Sequence, residues 1–346
     1  MSNEPPECQL MAQVATSSLL RTVLLLTVLC CFLCVPSCVY SLWRIQRSVK
    51  MHFNSKCIFF THNFSMLVHC TVRIVLHGKD LLNYFGSWHD GCELLPSRAR
   101  CELRTVYKLS QYICEVSPFI LTAERFVATF RAHRYENRFK WCGMFLIGAH
   151  ITFPLVMVII QSHVSSSGGV IVYYCWLASV DSAYMMNVPI VIIVISQMAT
   201  IPGTLYLLRK NERIRETSLL HCASLTQRYQ IFENLRTLSM FRIMSIVTWL
   251  YVTYNGAASF TMHFYLAYLP LPTQFALIEV IHCLPFYFLI LTYLILREDK
   301  KPQHQFEIKV NNYHPHYFDE LQKFFDEAFE KIHSRKRVGP MQKVKF

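Results

Sequence analysis

The sequence predicts an all-α fold, a bundle of seven membrane-spanning helices, and three observations lead to this class. Of the 346 residues, 53% are hydrophobic and only 16% are charged, a more apolar balance than that of ordinary soluble domains. A helix needs about 20 predominantly apolar residues to cross a bilayer, and the sequence contains seven apolar runs of about this length or longer. Basic residues are concentrated in alternate segments between these runs.

The seven apolar runs differ in purity. The first and fifth contain no charged residue, the fourth contains only His150, the sixth only His263, and the seventh only Glu279 and His282. Main-chain polar groups in lipid must be satisfied internally, and the runs lack the alternating pattern of barrel strands, so each is expected to be a helix. In order, the runs are 23–42, 57–76, 101–130, 141–161, 188–208, 243–268 and 273–296.

The second and third runs are the most polar. The second contains two histidines and an arginine, and the third mixes acids and bases with aliphatic and aromatic residues. The histidines at 62, 69 and 77 are seven and eight residues apart, whereas a helical pair of zinc ligands is four apart, so no metal site is expected. The ionisable residues in these two runs include His62, His69, Arg73, Lys108, Glu115, Glu124 and Arg125.

Lys and Arg in the connecting segments predict the orientation. With the amino terminus outside, the cytoplasmic loops and tail hold 26 Lys and Arg, and the outer segments hold 3. Residues 1–16 are then an extracellular amino terminus, 17–296 the helical domain and 297–346 a cytoplasmic tail. The net charge of +12 describes a basic inner face beside anionic lipid, so nucleic acid binding is not needed to explain it.

Two further features concern the ends of the chain. Glu4 and Glu7 precede the first apolar run, where a cleavable signal peptide would have basic residues, so the first helix is expected to act as a signal-anchor. In the tail, apolar residues recur with helical spacing over 317–333, which predicts an amphipathic helix. This helix is expected to lie on the inner leaflet, dock on a partner or fold back onto the bundle.

Four of the 14 cysteines fall on the predicted outer face, where disulfides are permitted: Cys8, Cys92, Cys101 and Cys175. Four cysteines allow three pairings. Cys101 with Cys175 is favoured because it would tie the third helix to the middle of the second outer loop, which leaves Cys8 with Cys92. Free thiols remain the alternative for one or both pairs. The other ten cysteines are expected to act as small hydrophobic residues.

A polar stretch, "LTQRYQIFENLR" at 225–236, precedes the sixth apolar run. Its apolar residues at 225, 229, 232, 235 and 238 share one face of a helix, and amides and charges cover the rest. The stretch is therefore expected to be a cytoplasmic extension of the sixth helix, with a polar surface available to a partner. The simpler interpretation is a solvated helix start in which Glu233 and Arg236 pair locally.

"RYQIFEN" before the sixth helix resembles the signature of the nematode serpentine chemoreceptors of the Sra superfamily. Four further pieces resemble the class called alpha/beta: "HCTVRIVLHGKDLL" at 69–82, "AERFVATF" at 123–130, "YE" at 135–136, and the cysteines at 92 and 101. The resemblance covers the chain from residue 8 to the seventh helix. It implies a seven-helix G-protein-coupled receptor in the plasma membrane of chemosensory neurons or their cilia.

The lower end of the third helix is similar to the acid-Arg-Tyr motif of rhodopsin-like receptors, with Glu124, Arg125 and Phe126 in its place. The similarity implies that Arg125 lies at the G-protein face and pairs with Glu233 at rest. Other rhodopsin-like features are missing, because the second run has no Asp and Trp249 has no nearby Pro; Asn255-Gly256 is a weak substitute for that hinge. The expected coupling residues are Glu124, Arg125, Arg228, Tyr229, Gln230, Glu233 and Asn234.

Ionisable residues inside a membrane are costly and are therefore candidates for a ligand site. At about 1.5 Å per residue, Lys108 and Glu279 would lie roughly 10 Å below the outer surface. The simpler interpretation of each candidate is an interhelical hydrogen bond or a buried ion pair, such as Lys108 with Glu279. The expected ligand-lining residues are Arg104, Tyr107, Lys108, Gln111, Tyr112, Glu115, Tyr254, Asn255, His263, Gln274, Glu279 and His282.

The expected function is therefore a chemosensory receptor, not an enzyme, with no cofactor. Its expected partners are a heterotrimeric G protein, a small-molecule ligand and membrane lipids. The alternative is a transporter or a ligand-gated channel subunit. A transporter would show inverted repeats, which an odd number of helices argues against, and an insect-type odorant channel would place its amino terminus inside.

Overall fold

The computed structural model describes residues 5–47, 51–130, 140–166, 183–220, 225–265 and 268–313. Every regular element within these ranges is helical. A short 3₁₀ helix, Gly91–Leu94, lies between α3 and α4. The α-helices are α1 Pro6–Thr16, α2 Ser18–Arg47, α3 Phe53–Phe85, α4 Arg98–Phe130, α5 Lys140–Ser166, α6 Ala183–Leu220, α7 Leu225–Tyr265, α8 Leu271–Ile281 and α9 Leu284–Tyr313.

Five stretches of helix are long and apolar enough to cross a membrane: Ser18–Arg47, Phe53–Phe85, Gly143–Ser162, Val188–Thr217 and Leu271–Glu298. The two other predicted spans lie in α4 and α7, which are 33 and 41 residues long. Helix α4 packs against α3, α5, α6 and α7, and its nine residues from 110 to 118 are all buried. Its polar side chains therefore face other helices, which explains why the third run is less apolar than a lipid-facing one.

Helix α3 is longer than the apolar run that predicted it. The run ends at residue 76, whereas the helix continues to Phe85 and ends at Gly86. The added turns contain Asp80, so the absence of Asp holds for the run but is wrong for the whole helix. Asp80 is buried near the end of α3 and binds Arg100 at the start of α4, which compensates for placing a carboxylate there.

The seventh predicted span is not one continuous helix. It divides into α8 and α9 at His282 and Cys283. Pro285 is the second residue of α9; it has no N–H to donate to the main-chain oxygen of Ile281 four residues earlier, so a continuous helix cannot keep all its hydrogen bonds here. The span predicted over 273–296 is thus present within the stretch Leu271–Glu298, but as two helices separated by this break. Helix α7, by contrast, runs without interruption from the polar stretch at 225 through Asn255-Gly256 to Tyr265.

The amino-terminal segment forms a helix that is fixed to the bundle. Cys8 of α1 and Cys92 of the 3₁₀ helix form a disulfide, with Cα atoms 4.5 Å apart, as the elimination argument expected. Met11, Val14 and Ala15 on the buried face of α1 pack in a hydrophobic cluster with residues of α2, α3 and α8. We call this end of the bundle the disulfide end.

Gly91 allows the 3₁₀ helix to approach α1. A Cβ atom at this position would lie 1.9 Å from the main-chain oxygen of Cys8. We therefore expect Gly91→Ala to separate the two helices and to destabilise the protein by about 1 to 3 kcal/mol, as overpacking does. Thermal unfolding of purified protein measures the change.

Gly78 on α3 provides a matched control, because a Cβ atom there would meet nothing within 4 Å. Gly78→Ala should leave stability unchanged or raise it by about 0.5 to 1 kcal/mol, since alanine favours a helix. Equal melting temperatures for the two variants would show that the contact at Gly91 is unimportant.

Candidate functional site

A buried ionic cluster joins three helices on the disulfide side of the bundle. Glu279 of α8 is completely buried, and its carboxylate binds Arg73 of α3 and Arg104 of α4. The distance from Arg104 Nη2 to Glu279 Oε1 is 2.7 Å. His77 Nε2 lies 3.3 Å from Glu279 Oε2. A buried charge is tolerated when it is paired and hydrogen-bonded, so this cluster constrains the positions of α3, α4 and α8.

The break between α8 and α9 contributes to the same cluster. Arg73 Nη1 donates to the main-chain oxygen of His282, at 2.7 Å, and Arg73 Nε donates to His77 Nε2, at 3.1 Å. The guanidinium carbon lies 5.5 Å from the ring centroid of Tyr107, in cation–π range. The interrupted helix thus supplies a main-chain acceptor to a buried arginine.

A second ion pair continues the cluster toward the disulfide end. Arg100 donates to both carboxylate oxygens of Asp80, each at 2.7 Å. His77 lies between the two acids, with its Nδ1 3.8 Å from Asp80 Oδ2. Two acids and three arginines are therefore connected through one histidine, and the cluster carries an excess of positive charge.

A different polar group surrounds Glu115 farther along α4. Gln111 Nε2 donates to the Glu115 carboxylate at 2.8 Å, and the Asn255 amide of α7 lies beside the same side chain. Gln197 of α6 donates to the main-chain oxygen of Glu115 at 2.6 Å. All four residues are buried. We call Gln111, Glu115, Gln197 and Asn255 the amide cage.

Below the amide cage, Ser117 connects three helices. Its hydroxyl lies 3.0 Å from Nδ1 of His62 on α3 and 2.9 Å from Nε2 of His150 on α5. One helical turn farther on, the hydroxyls of Thr122 and Thr204 lie 3.0 Å apart between α4 and α6. Short hydroxyl side chains of α4 thus form hydrogen bonds to α3, α5 and α6 in this part of the bundle.

At the opposite end of α4, Arg125 is completely buried. Its Nε and Nη2 donate to the Glu124 carboxylate at 2.6 and 2.7 Å, and Ser55 of α3 donates to the same carboxylate at 2.6 Å. Arg125 Nη1 donates to Asn234 Oδ1 of α7, at 2.8 Å. We call this end the Arg125 end; here the acid-Arg motif links α3, α4 and α7.

Most of the predicted ligand-lining residues face the interior of the bundle. Arg104, Glu279 and His282 belong to the ionic cluster, and Tyr107 lies beside it. Lys108 is half-buried, with its Nζ 5.9 Å from the Tyr112 ring centroid. Gln111, Glu115 and Asn255 form part of the amide cage. Glu279 binds Arg73 and Arg104, so the partners of this acid differ from the single expected lysine.

Three predicted residues are placed differently. Tyr254 is 50% exposed on the outside of α7, away from the amide cage. Gln274 donates to the main-chain oxygen of Leu269, at 2.8 Å. The side chain of His263 lies outside the described part of the structure, as do those of Arg228, Tyr229 and Gln230 at the start of α7.

Sequence reasoning missed Arg73, His77, Gln197 and Ser55. Arg73 carried a usable signal, because a lone arginine in an apolar span is itself a functional candidate. Gln197 and Ser55 gave none, since uncharged residues in an apolar run do not stand out. Among the described residues, one group has metal-ligating side chains in mutual reach, Cys8, Asp90 and Cys92, and its two cysteines are bonded to each other.

The apolar helices and the buried polar column along α4 define a multi-pass membrane protein of the seven-transmembrane receptor class. The family described as serpentine type 7TM GPCR receptor class ab chemoreceptor matches residues 6–333, nearly the whole chain. The chain belongs to this family, in agreement with the resemblance to class alpha/beta. No curated protein matches the sequence.

The ionic cluster predicts an unequal response to two similar substitutions. Glu279→Gln leaves two buried arginines with a neutral partner, and removing one member of a buried pair costs about 3 to 5 kcal/mol. We expect a large fall in the melting temperature of the purified protein and in its surface expression in cells.

Glu102→Gln is the matched control, because Glu102 forms an ion pair of similar length with Arg98, 3.1 Å, but the two side chains are 68% and 94% exposed. An exposed pair contributes at most about 1 kcal/mol. If the two variants lost the same stability, the burial of Glu279 would have no energetic importance.

Proposed function

We propose that this chemoreceptor binds an environmental chemical inside the bundle, between the ionic cluster and the amide cage, and signals to a heterotrimeric G protein at the Arg125 end. The observation that carries the proposal is the polar column on α4. A single helix contacts Glu279 near one end and Asn234 near the other, through side chains that are buried. A ligand that changes the contacts of α4 is thereby coupled to the opposite end of the bundle.

The proposed orientation places the disulfide end outside the cell. The surplus of Lys and Arg in the alternate loops supports it. The Cys8–Cys92 disulfide also supports it, because disulfides persist in oxidising compartments. The Arg125 end then faces the cytosol, where basic residues meet anionic lipid and a G protein. We propose the plasma membrane of nematode chemosensory neurons or their cilia as its location.

Two segments are proposed to present the inner surface. The start of α7, including Arg228, Tyr229 and Gln230, continues the sixth span beyond the apolar run and would offer polar side chains to the G protein. The amphipathic tail helix expected over 317–333 lies outside the described residues; we propose that it rests on the inner leaflet.

The discriminating experiment expresses the chain in cells with a panel of G-protein alpha subunits. Volatile and water-soluble chemicals are applied, and calcium or cAMP is recorded. A receptor gives a response that depends on the alpha subunit supplied. A response that is independent of the alpha subunit and carried by membrane current would favour a ligand-gated channel, and accumulation of the chemical without either signal would favour a transporter.

We expect Arg125→Ala to reduce signalling strongly at matched surface expression; because the variant leaves the buried Glu124 carboxylate without its cationic partner, surface expression should also fall. Arg125 is held by Glu124 and Asn234, and its release toward the cytosol is the step that would expose it to the G protein. Signalling is measured as the maximal response at matched surface expression. A mutant with a full response would remove Arg125 from the coupling mechanism.

The contact of Arg125 with Asn234 predicts that substitutions at Asn234 and at the adjacent Glu233 change basal signalling differently. Asn234→Leu removes the hydrogen bond between α4 and α7, and a bond to a charged group contributes about 1.5 to 3 kcal/mol. Basal, ligand-free signalling should rise, because the resting state loses more than the active one.

Glu233→Gln tests the pair that the resemblance implied. If Glu233 also holds Arg125 at rest, this variant should raise basal signalling, and a double-mutant cycle with Arg125→Lys should be non-additive. A cycle that is additive for Glu233 but not for Asn234 would assign the resting contact to Asn234 alone.

We propose that Cys101 pairs with Cys175 across the outer face. Cys101 is disulfide-bonded, and its expected partner lies outside the described residues. Peptide mapping without reduction should recover the two cysteines in one linked peptide, and Cys175→Ser should lower surface expression. Recovery of Cys175 as an alkylated free thiol from correctly inserted protein would refute the pairing.

A further inference from the structure

The amide cage leaves three hydrogen-bond acceptors without a partner. Gln111 Oε1, Gln197 Oε1 and Asn255 Oδ1 are buried and accept no hydrogen bond in the described structure. An unsatisfied buried acceptor is costly, and most such groups in proteins find a donor. The three side chains are grouped around Glu115, so their oxygens could accept hydrogen bonds from a ligand donor.

The chemistry of Glu115 fixes the direction of the two glutamine amides. A carboxylate and a main-chain oxygen only accept hydrogen bonds, so each glutamine must direct its NH₂ group toward Glu115. Gln111 donates to the carboxylate and Gln197 to the main-chain oxygen. Their unpaired atoms are thus carbonyl oxygens near Glu115, and Asn255 adds a third buried amide beside the same side chain.

The three oxygens belong to three helices that a receptor would move relative to one another. Gln111 lies on α4, Gln197 on α6 and Asn255 on α7, and the exposed fraction of each is 3% or less. Lys108 also attracts Glu115 from two turns earlier in α4. The cage therefore combines one negative charge with three acceptors in a place shielded from water.

We propose that the amide cage binds a primary ammonium group of the ligand. A primary ammonium has three N–H donors and one positive charge, which match three carbonyl oxygens and one carboxylate. This inference rests on the proposed receptor function and narrows its stimulus to a small primary amine. Its ammonium would link α4, α6 and α7 and share Glu115 with Lys108.

The test uses the purified receptor in nanodiscs without a G protein, so that its result is independent of coupling. Thermal stability is measured in methylammonium, ethylammonium or butylammonium chloride and compared with tetramethylammonium chloride at equal concentration. Tetramethylammonium carries the same charge but has no N–H donor. The proposal expects a higher melting temperature in the primary ammonium salts, rising with concentration as ligand binding requires.

Variants assign the effect to the cage. Asn255→Leu and Gln197→Leu each remove one acceptor and should weaken apparent ammonium affinity about tenfold or more. Glu115→Gln should weaken it at least as much, and Lys108→Gln should strengthen it by removing a competing charge. The control is Asn63→Leu: Asn63 is also a buried amide, but it donates to Phe59 within its own helix at 2.8 Å.

Two results would overturn the proposal. Equal stability of the wild-type receptor in primary ammonium and tetramethylammonium salts would mean that ordered water satisfies the three oxygens. A difference that survives in Asn255→Leu, Gln197→Leu and Glu115→Gln alike would place the ammonium elsewhere. Because the salt comparison needs no variant, it remains decisive even if a cage variant fails to fold. A receptor that binds amines here but activates no G protein would instead refute the coupling step.

Discussion

The pairing of Glu279 with Arg73 and Arg104 is the constraint on which the other features depend. A carboxylate with no exposed surface is stable only where cationic donors reach it from neighbouring helices. Those donors require α3 and α4 to lie beside α8. Arg73 in turn needs a main-chain acceptor, which the break after α8 provides at His282. Charge burial thus determines the helix arrangement and explains why an interrupted span is tolerated.

Helix α4 carries this arrangement through the bundle. Because it is surrounded by other helices, its polar residues are stabilised by hydrogen bonds to protein, and their low hydropathy does not conflict with a place in a membrane. The same helix contacts the ionic cluster, the amide cage, the Ser117 contacts and the Arg125 end. In the proposed function, this helix would couple a ligand held in the bundle to a G protein at the Arg125 end.

The N-terminal helix adds a structural element that most of the bundle does not depend on. It is bonded through Cys8 to Cys92 and packs through its own hydrophobic cluster. Arg21 connects this cluster to the bundle by donating to the main-chain oxygens of Ala15 and Tyr84, at 2.6 and 2.5 Å. The N-terminal helix is therefore held against α2, α3 and α8 at the disulfide end.

The sequence by itself determined the helical class and the existence of apolar spans, because the thickness of a bilayer sets a length that can be counted along one chain. It also identified the acid-Arg motif, and the compartment argument singled out four outer cysteines, among which Cys8–Cys92 was expected by elimination. Only the tertiary structure decided the partners of Glu279, the carbonyl that holds Arg73, and the contact of Arg125 with Asn234. These contacts depend on which helix faces pack together and on where a helix breaks. Arg73 and Glu279 are 206 residues apart, so no local sequence pattern indicates that they bind each other. Gln197 shows the same limit: an uncharged amide in an apolar run becomes important only when α6 places it against Glu115.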